Sequence, residues 1–189
     1  LLPAEHEEIG DSCEALGALY CMLARFAEAM PLLVRSMAYA EKTFGLEHLS
    51  VATSCSTLAG LLRDTGDYAA AEPLYRRALD IAESEKNSGD DTIAHRLSLL
   101  ARTLEKLEQY AAAEPLFRRA LAATQSQYGS DHSRSVMRGN NLADLLCKIG
   151  NYSAAEPLYR HALEFYEKES RPSRRRIDKN LDNLVRSLE

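Results

Sequence analysis

Apolar and small residues return along this chain at a fixed interval of 42 residues. The clearest segment, Tyr68 to Leu79, returns as Tyr110 to Leu121 and as Tyr152 to Leu163, and a more divergent copy runs from Phe26 to Met37. Away from that segment, a leucine also keeps the register in every copy: Leu16, Leu58, Leu100, Leu142 and Leu184. Self-similarity at a period of this size predicts a repeat protein whose stacked units share one continuous core.

Each unit is predicted to contain two helices. In the second unit, the apolar spacing of Val51, Cys55 and Leu58 indicates a helix from about residue 47 to about residue 65. Gly66-Asp67 should end it, because glycine suits a helix C-terminus and aspartate caps the next helix, which we expect to continue to about residue 86. Small alanines on the inner face of the second helix should let the paired helices approach closely.

A proline recurs inside the second helix of the later units. Pro73, Pro115 and Pro157 lie about five or six residues beyond the predicted helix starts. Proline fits only the first turn of a helix, because deeper in it removes a hydrogen bond and clashes with the preceding turn. We therefore expect a kink or a tightened first turn at this place in each unit.

The period predicts one array with units over about 5–46, 47–88, 89–130 and 131–172, followed by a closing helix over 173–189. The predicted fold class is all-α, a right-handed α-solenoid of antiparallel helix hairpins. The last helix either covers the final apolar face of the array or is half of a fifth unit, and the sequence leaves both readings open.

Composition argues against several classes of function. The chain is 46% apolar and 27% charged with a net charge of −5, and no apolar run approaches the roughly 20 residues of a membrane span. An acidic chain lacks the basic footprint of nucleic-acid binding. Because it begins with Leu1 rather than Met, we expect it to be a piece of a longer protein.

No candidate for catalysis or for metal or cofactor binding emerges from the motifs. The four cysteines form no Cys-x-x-Cys pair, which indicates free thiols in a reducing, cytoplasmic setting. Cys13 and Cys55 should be core thiols, whereas Cys21 and Cys147 should face the groove that the first helices of such an array form. His6, His48 and His132 fall on different units, so they cannot converge on one metal and are expected in turns. The chain has no phosphate loop or nucleophile motif, so we expect no cofactor and no enzyme activity.

The repeat resembles a known family. A first helix with leucine followed by a small residue, then Gly-Asp/Asn-Tyr, then Ala, Tyr/Phe and Ala at intervals of three or four, is similar to the tetratricopeptide repeat. The 42-residue form with Ala-Glu-Pro-Leu-Tyr-Arg-Arg-Ala-Leu resembles the type found in kinesin light chains, as does the connection Tyr128-Gly129-Ser130-Asp131-His132. The resemblance implies a scaffold or adaptor whose first helices line a groove for a segment of a partner protein.

Carried over by position, the resemblance implies that the groove contains Thr53, Ser56, Gly60, Arg63 and Asp64 from the second unit, with His95 as the first position from the third. Asn140-Asn141-Leu142 matches an Asn-Asn-Leu step of the kinesin light chain groove, and Asp182-Asn183-Leu184 keeps half of it. An asparagine side chain can donate to and accept from a peptide backbone at once. The candidate binding residues are Arg63, Arg102, Lys106, Asn140, Asn141, Lys148, Asn183 and Arg186.

Three questions about partners stay open at this level. Cations outnumber anions among the groove positions, which favours an acidic or phosphorylated peptide, but the same charges would also suit a solvated face of weak ion pairs. The scaffold has an alternative, a sensory or autoinhibitory arm of a larger signalling protein. Glu5 to Glu14 is acidic and Arg171 to Arg176 is basic, so weak head-to-tail self-association stands beside simple solvation of the two ends.

Overall fold

Paired helices make up the computed structural model, which describes residues 4–85 and 89–168 together with Val185. Within these residues the chain forms eight helices and no strand. The helices, two for each predicted unit, are α1 Ala4–Met22, α2 Phe26–Phe44, α3 Leu49–Asp64, α4 Tyr68–Ser84, α5 Asp90–Lys106, α6 Tyr110–Tyr128, α7 Ser133–Lys148 and α8 Tyr152–Lys168.

The turn between the helices of the second hairpin has the predicted chemistry. Gly66 has a φ of 88°, in the left-handed region that glycine adopts without steric cost. The backbone N–H of Asp67 donates to the Leu62 carbonyl at 2.8 Å, which satisfies one of the last carbonyls of α3. The Asp67 side chain accepts from the Ala70 backbone N–H at 3.0 Å, so it is the N-cap of α4.

Alanines lie where the paired helices approach each other. Ala71 and Ala78 on α4 and Ala59 on α3 are completely buried. In the first hairpin the corresponding place on α1 is Gly17, where an added Cβ would lie 2.5 Å from the Leu33 Cδ2 atom. Close approach of backbones explains why the repeat keeps a very small residue here.

The contacts divide the chain into two compact units, Leu1–Leu107 and Glu108–Glu189. In the first unit α2 packs on α3 through a cluster that contains Ala29, Leu33, Leu58 and Leu61. In the second unit α6 packs on α7 and α7 packs on α8. The predicted alternation of first and second helices therefore holds within each unit.

The recurring prolines lie inside continuous helices. Each second helix runs on through its proline: Pro31 in α2, Pro73 in α4, Pro115 in α6 and Pro157 in α8. A tightened 3₁₀ turn, one of the two expected outcomes, is not formed at these places, since the described backbone is α-helical from the start of each helix. The proline ring is instead accommodated within the second turn of the α-helix.

The three histidines in register have two different roles. His6 lies inside α1, so its expected placement in a turn is wrong. His48 and His132 do lie in connections, and the Nδ1 atom of each accepts from the backbone N–H two residues later, at 3.1 and 3.2 Å. Each ring also stacks on the aromatic residue four positions earlier, Phe44 or Tyr128. These histidines are the N-caps of α3 and α7, and the unprotonated Nδ1 atom fixes their tautomer.

Two further observations concern the predicted closing helix and membrane spans. The predicted closing helix over 173–189 falls outside the described residues except for Val185, whose side chain is exposed. None of the described helices combines the length and the apolar character needed to cross a membrane.

Candidate functional site

A cleft of about 600 Å³ lies between α3 and α5 in the first unit, and we call it the α3–α5 cleft. Its volume falls in the range of sites that hold small ligands or single side chains of a partner. Of the five groove positions inferred for α3, Asp64 lies outside the lining of this cleft. The other four and the first position inferred on α5 line it: Thr53, Ser56, Gly60, Arg63 and His95. The 42-residue frame thus places on one surface residues that are more than 40 positions apart in the chain.

The hydroxyl of Tyr75 reaches the cleft from α4, although its ring is fully buried. The Nη1 atom of Arg63 donates to this hydroxyl at 3.4 Å. Gly60 leaves room for the hydroxyl, since an added Cβ there would lie 3.7 Å from the Tyr75 oxygen. Burial raises the pKa of Tyr75, so the side chain stays a neutral hydroxyl that can donate or accept a hydrogen bond.

The predicted cationic residues of the first unit differ in their surroundings. Arg63 is partly buried and forms an ion pair with Asp64 at 2.8 Å. Burial is the largest single effect and works against its charge, but the hydrogen bond to Asp64 and the electrostatic attraction of Asp64 and nearby tyrosines together raise the pKa of Arg63. Arg102 and Lys106 lie further along α5, outside the cleft lining, and their side chains are exposed. Neither forms an ion pair among the described residues, so both charges are available to a partner.

Arg96 is a cleft residue that the sequence analysis did not select. It lies on α5 one position after His95, and only 8% of its surface is exposed. Its Nε atom is buried without a hydrogen bond. Burial lowers the pKa of Arg96, because the charged form loses hydration, yet a guanidinium remains protonated in proteins. The sequence signal for Arg96 is a change of residue type within the repeat. The equivalent position 42 residues earlier is Ser54, which is also buried.

In the second compact unit, the asparagine pair lies on α7, the first helix of its repeat. Asn140 and Asn141 are half-buried on α7, and the Oδ1 atom of Asn140 is buried without a hydrogen bond. A buried carbonyl oxygen without a donor costs free energy, which a ligand N–H would recover. Lys148 is exposed at the end of α7 and has an interaction within the protein. The other two candidates, Asn183 and Arg186, lie outside the described residues.

Tyr159 is the counterpart of Tyr75 in the second unit, but its hydroxyl has a different partner. It donates to the Asp144 carboxylate at 2.6 Å. Burial and this hydrogen bond raise the pKa of Tyr159, so the hydroxyl stays protonated and holds Asp144 in place. The groove positions of the two units therefore have different polar character, with cations on α5 and amides beside a carboxylate on α7.

Cys13 and Cys55 have the burial that the repeat frame predicts for core thiols. Cys13 and Cys55 are buried, and Cys21 and Cys147 are partly exposed; all four are free. Burial raises the pKa of Cys21 and of Cys147, which lowers the thiolate fraction that a reactive cysteine needs. Among the described residues, no group of three or more His, Cys, Asp or Glu side chains is placed to hold a metal ion.

Comparison with known proteins gives the family context. The sequence model of the tetratricopeptide repeat matches residues 12–84 and 92–168, which together make up most of the chain. No protein among the curated sequences matches the chain.

Solved structures of repeat proteins are similar in fold. A Podosopora anserina protein described as a kinesin light chain with nearly identical TPR-like repeats is 21% identical, with a TM-score of 0.82 over 96% of this chain and 86% of that one. BtubC (BKLC) from P. vanneervenii is 20% identical, with a TM-score of 0.82 over 98% of this chain and 74% of that one.

The apo form of RapI is 16% identical, with a TM-score of 0.77 over 95% of this chain and 53% of that one. At these identities the likeness establishes the fold alone. The predicted fold class, an all-α array of antiparallel helix hairpins of the tetratricopeptide type, is thereby confirmed.

Proposed function

The chain belongs to the tetratricopeptide repeat family, and on that premise we propose that it is a protein-interaction scaffold that docks a segment of a partner protein along the first-helix face. Arrays of this family present fixed surfaces to other proteins, so a bound segment meets groups that are already positioned. The proposal rests chiefly on one observation, the α3–α5 cleft, which is open to solvent and lined by polar first-helix residues.

Charge favours an acidic segment as the ligand. Next to the cleft, Arg102 and Lys106 are exposed on α5 and form no ion pair among the described residues. Because neither cation has an ion pair among the described residues, binding a carboxylate breaks no such pair and forms charge-assisted hydrogen bonds. The net charge of the whole chain is −5, so the preference would be set by the local surface rather than by overall attraction.

The second unit supplies a complementary kind of contact. Asn140 has an unsatisfied side-chain oxygen and an amide that can donate, which suits the backbone of an extended peptide. Side-chain amides would hold the peptide backbone, while cations would select its side chains. The four free cysteines fit the reducing, cytoplasmic setting in which we place this scaffold.

A charge reversal tests the docking surface. Fluorescence anisotropy with the full chain should detect binding of an acetylated, amidated peptide with an acidic centre, in preference to peptides of the same length with neutral or basic centres. We expect Arg102→Glu with Lys106→Glu to weaken that binding at least tenfold, because two attractive charges become repulsive. The helical circular dichroism should not change, since both side chains are exposed.

The matched control reverses two cations elsewhere in the same unit. Arg35 and Lys42 are exposed on α2, a second helix, and form no ion pair among the described residues. Arg35→Glu with Lys42→Glu changes the net charge by the same amount and should leave peptide affinity within about twofold, as screening limits long-range effects. Equal affinity in the two double variants would remove the first-helix face as the docking surface. A chain that binds no peptide would favour the alternative, a regulatory arm of a larger signalling protein.

A further inference from the structure

Arg96 is a buried cation whose Nε atom has no hydrogen bond within the part of the chain that the structure describes. Its surface is 92% buried, as only 8% is exposed, and it takes part in no hydrogen bond or ion pair of the described residues. A buried charge without a partner is unfavourable, and proteins usually pair it. Arg138 occupies the same place one repeat later and is similarly buried, but it does have an interaction partner.

The preceding repeat interface shows how this position is normally satisfied. Between α1 and α3, the carboxylate of Glu14 accepts hydrogen bonds from Ser54 at 3.4 Å and from Thr57 at 3.1 Å. Moving 42 positions along, Glu14 becomes Ser56 and Ser54 becomes Arg96. The register therefore places a serine where the preceding interface has a carboxylate, and the facing position is now a cation; the same pair recurs one repeat later as Ser98 and Arg138. Ser56 and Arg96 both line the α3–α5 cleft.

We propose that the α3–α5 cleft is a binding site for a carboxylate, supplied by an acidic side chain of the docked peptide and held by Arg96. The ligand would provide from outside the group that Glu14 provides within the chain at the preceding interface. This inference deepens the proposed function and rests on it for the source of the carboxylate.

The charges around Arg96 match a single negative charge. Asp91 and His95 line the same cleft, and each has an interaction of its own. Arg63 is already paired with Asp64. One uncompensated guanidinium balances one carboxylate, whereas a doubly charged phosphate would exceed it and would be repelled more strongly than a carboxylate by Asp91. The hydroxyl of Tyr75, which accepts from Arg63, reaches the cleft and offers a further donor to the same ligand.

Two substitutions separate a ligand site from a structural role. Arg96→Met keeps an unbranched apolar stem and removes the charge, so the variant should be at least as stable as the wild type, because an unpaired buried charge is lost. It should also bind the acidic peptide at least tenfold more weakly. Ser56→Glu should place a carboxylate beside Arg96 and weaken the peptide to a similar extent. Ser56→Gln, of the same size but uncharged, is the control and should keep most of the affinity.

Nuclear magnetic resonance of the full chain tests the site without any peptide. The side-chain N–H signal of Arg96, assigned by its loss in Arg96→Met, should shift saturably with acetate and less with inorganic phosphate, at constant ionic strength and with chloride as reference. In Ser56→Glu the signal should already be shifted and should not respond to acetate. An unresponsive signal, or a tighter response to phosphate than to acetate, would overturn the carboxylate assignment.

The two proposals fail separately. If the acidic peptide binds and is sensitive to Arg102→Glu with Lys106→Glu but not to Arg96→Met, the docking surface stands and the Arg96 site is wrong. If Arg96→Met is clearly less stable than the wild type and binds the peptide equally well, the residue is structural. If acetate shifts the Arg96 signal but no peptide binds, the carboxylate site stands and the peptide-docking function is wrong.

Discussion

One position of the repeat has a left-handed backbone in all four copies. The residues are Ala24, Gly66, Glu108 and Gly150, spaced 42 apart, with φ values of 55°, 88°, 60° and 77°. This conformation costs an L-residue roughly 1–2 kcal/mol because its Cβ crowds the backbone, and glycine avoids the cost. The turn is therefore strained at Ala24 and Glu108, whereas the glycines at the other two positions form it without strain.

Replacing the strained residues should stabilise the protein. We expect Ala24→Gly and Glu108→Gly each to raise the free energy of unfolding by about 1 kcal/mol, the balance of relieved strain and a more flexible unfolded chain. Gly66→Ala should lower it by a similar amount. Urea denaturation followed by circular dichroism measures all three. If either substitution proves destabilising, the residue that it replaces is not strained in the folded protein.

At the scale of the helices, the fold depends on how closely paired helices approach. Ala78 on α4 is fully buried in a cluster with Val51, Ala52 and Cys55 of α3. Overpacking such a contact costs about 1–3 kcal/mol, and burying a charge without a partner adds to that cost. The alanine is therefore required by the packing rather than by helix propensity alone.

An arginine at Ala78 should unfold the first unit or leave it only partly helical. The expected loss exceeds about 3 kcal/mol, because the side chain has neither space nor a partner at this contact. Ala69→Arg, on the exposed side of the same helix, is the matched control and should change the stability by less than about 0.5 kcal/mol. Thermal denaturation followed by circular dichroism compares the two. A fully helical Ala78→Arg protein with unchanged stability would contradict this packing.

Sequence reasoning succeeded where the determining interactions are local. Gly66-Asp67 gave the end of one helix and the cap of the next, and α3 begins and ends within two residues of its predicted bounds. His48 was placed in a connection, but its role as an N-cap was missed because histidine is not a common capping residue. Arg96 was missed for a different reason, since the burial of a charged residue depends on how α3 and α5 pack together.

At the scale of the whole molecule, α1 differs from the later first helices. Leu16 and Leu19 are 40% and 48% exposed, whereas their counterparts Leu58 and Leu61 are 5% and 1% exposed. The counterparts are covered by α2, and no described helix covers α1 in that way. The face of α1 that the repeat uses for stacking is thus exposed in this structure, and acidic residues lie nearby in the sequence.

We expect weak self-association through this face, of the head-to-tail kind that the opposite charges of the two ends favour. Sedimentation equilibrium should show a mass that rises with concentration at low salt and returns to the monomer mass as salt screens the ends. Leu16→Glu with Leu19→Glu should abolish the rise, because it places charges on the apolar face. Val34→Glu with Leu46→Glu, at two other exposed apolar residues, adds the same charge and should preserve it. A wild-type chain that stays monomeric at every concentration would mean that both ends are simply solvated.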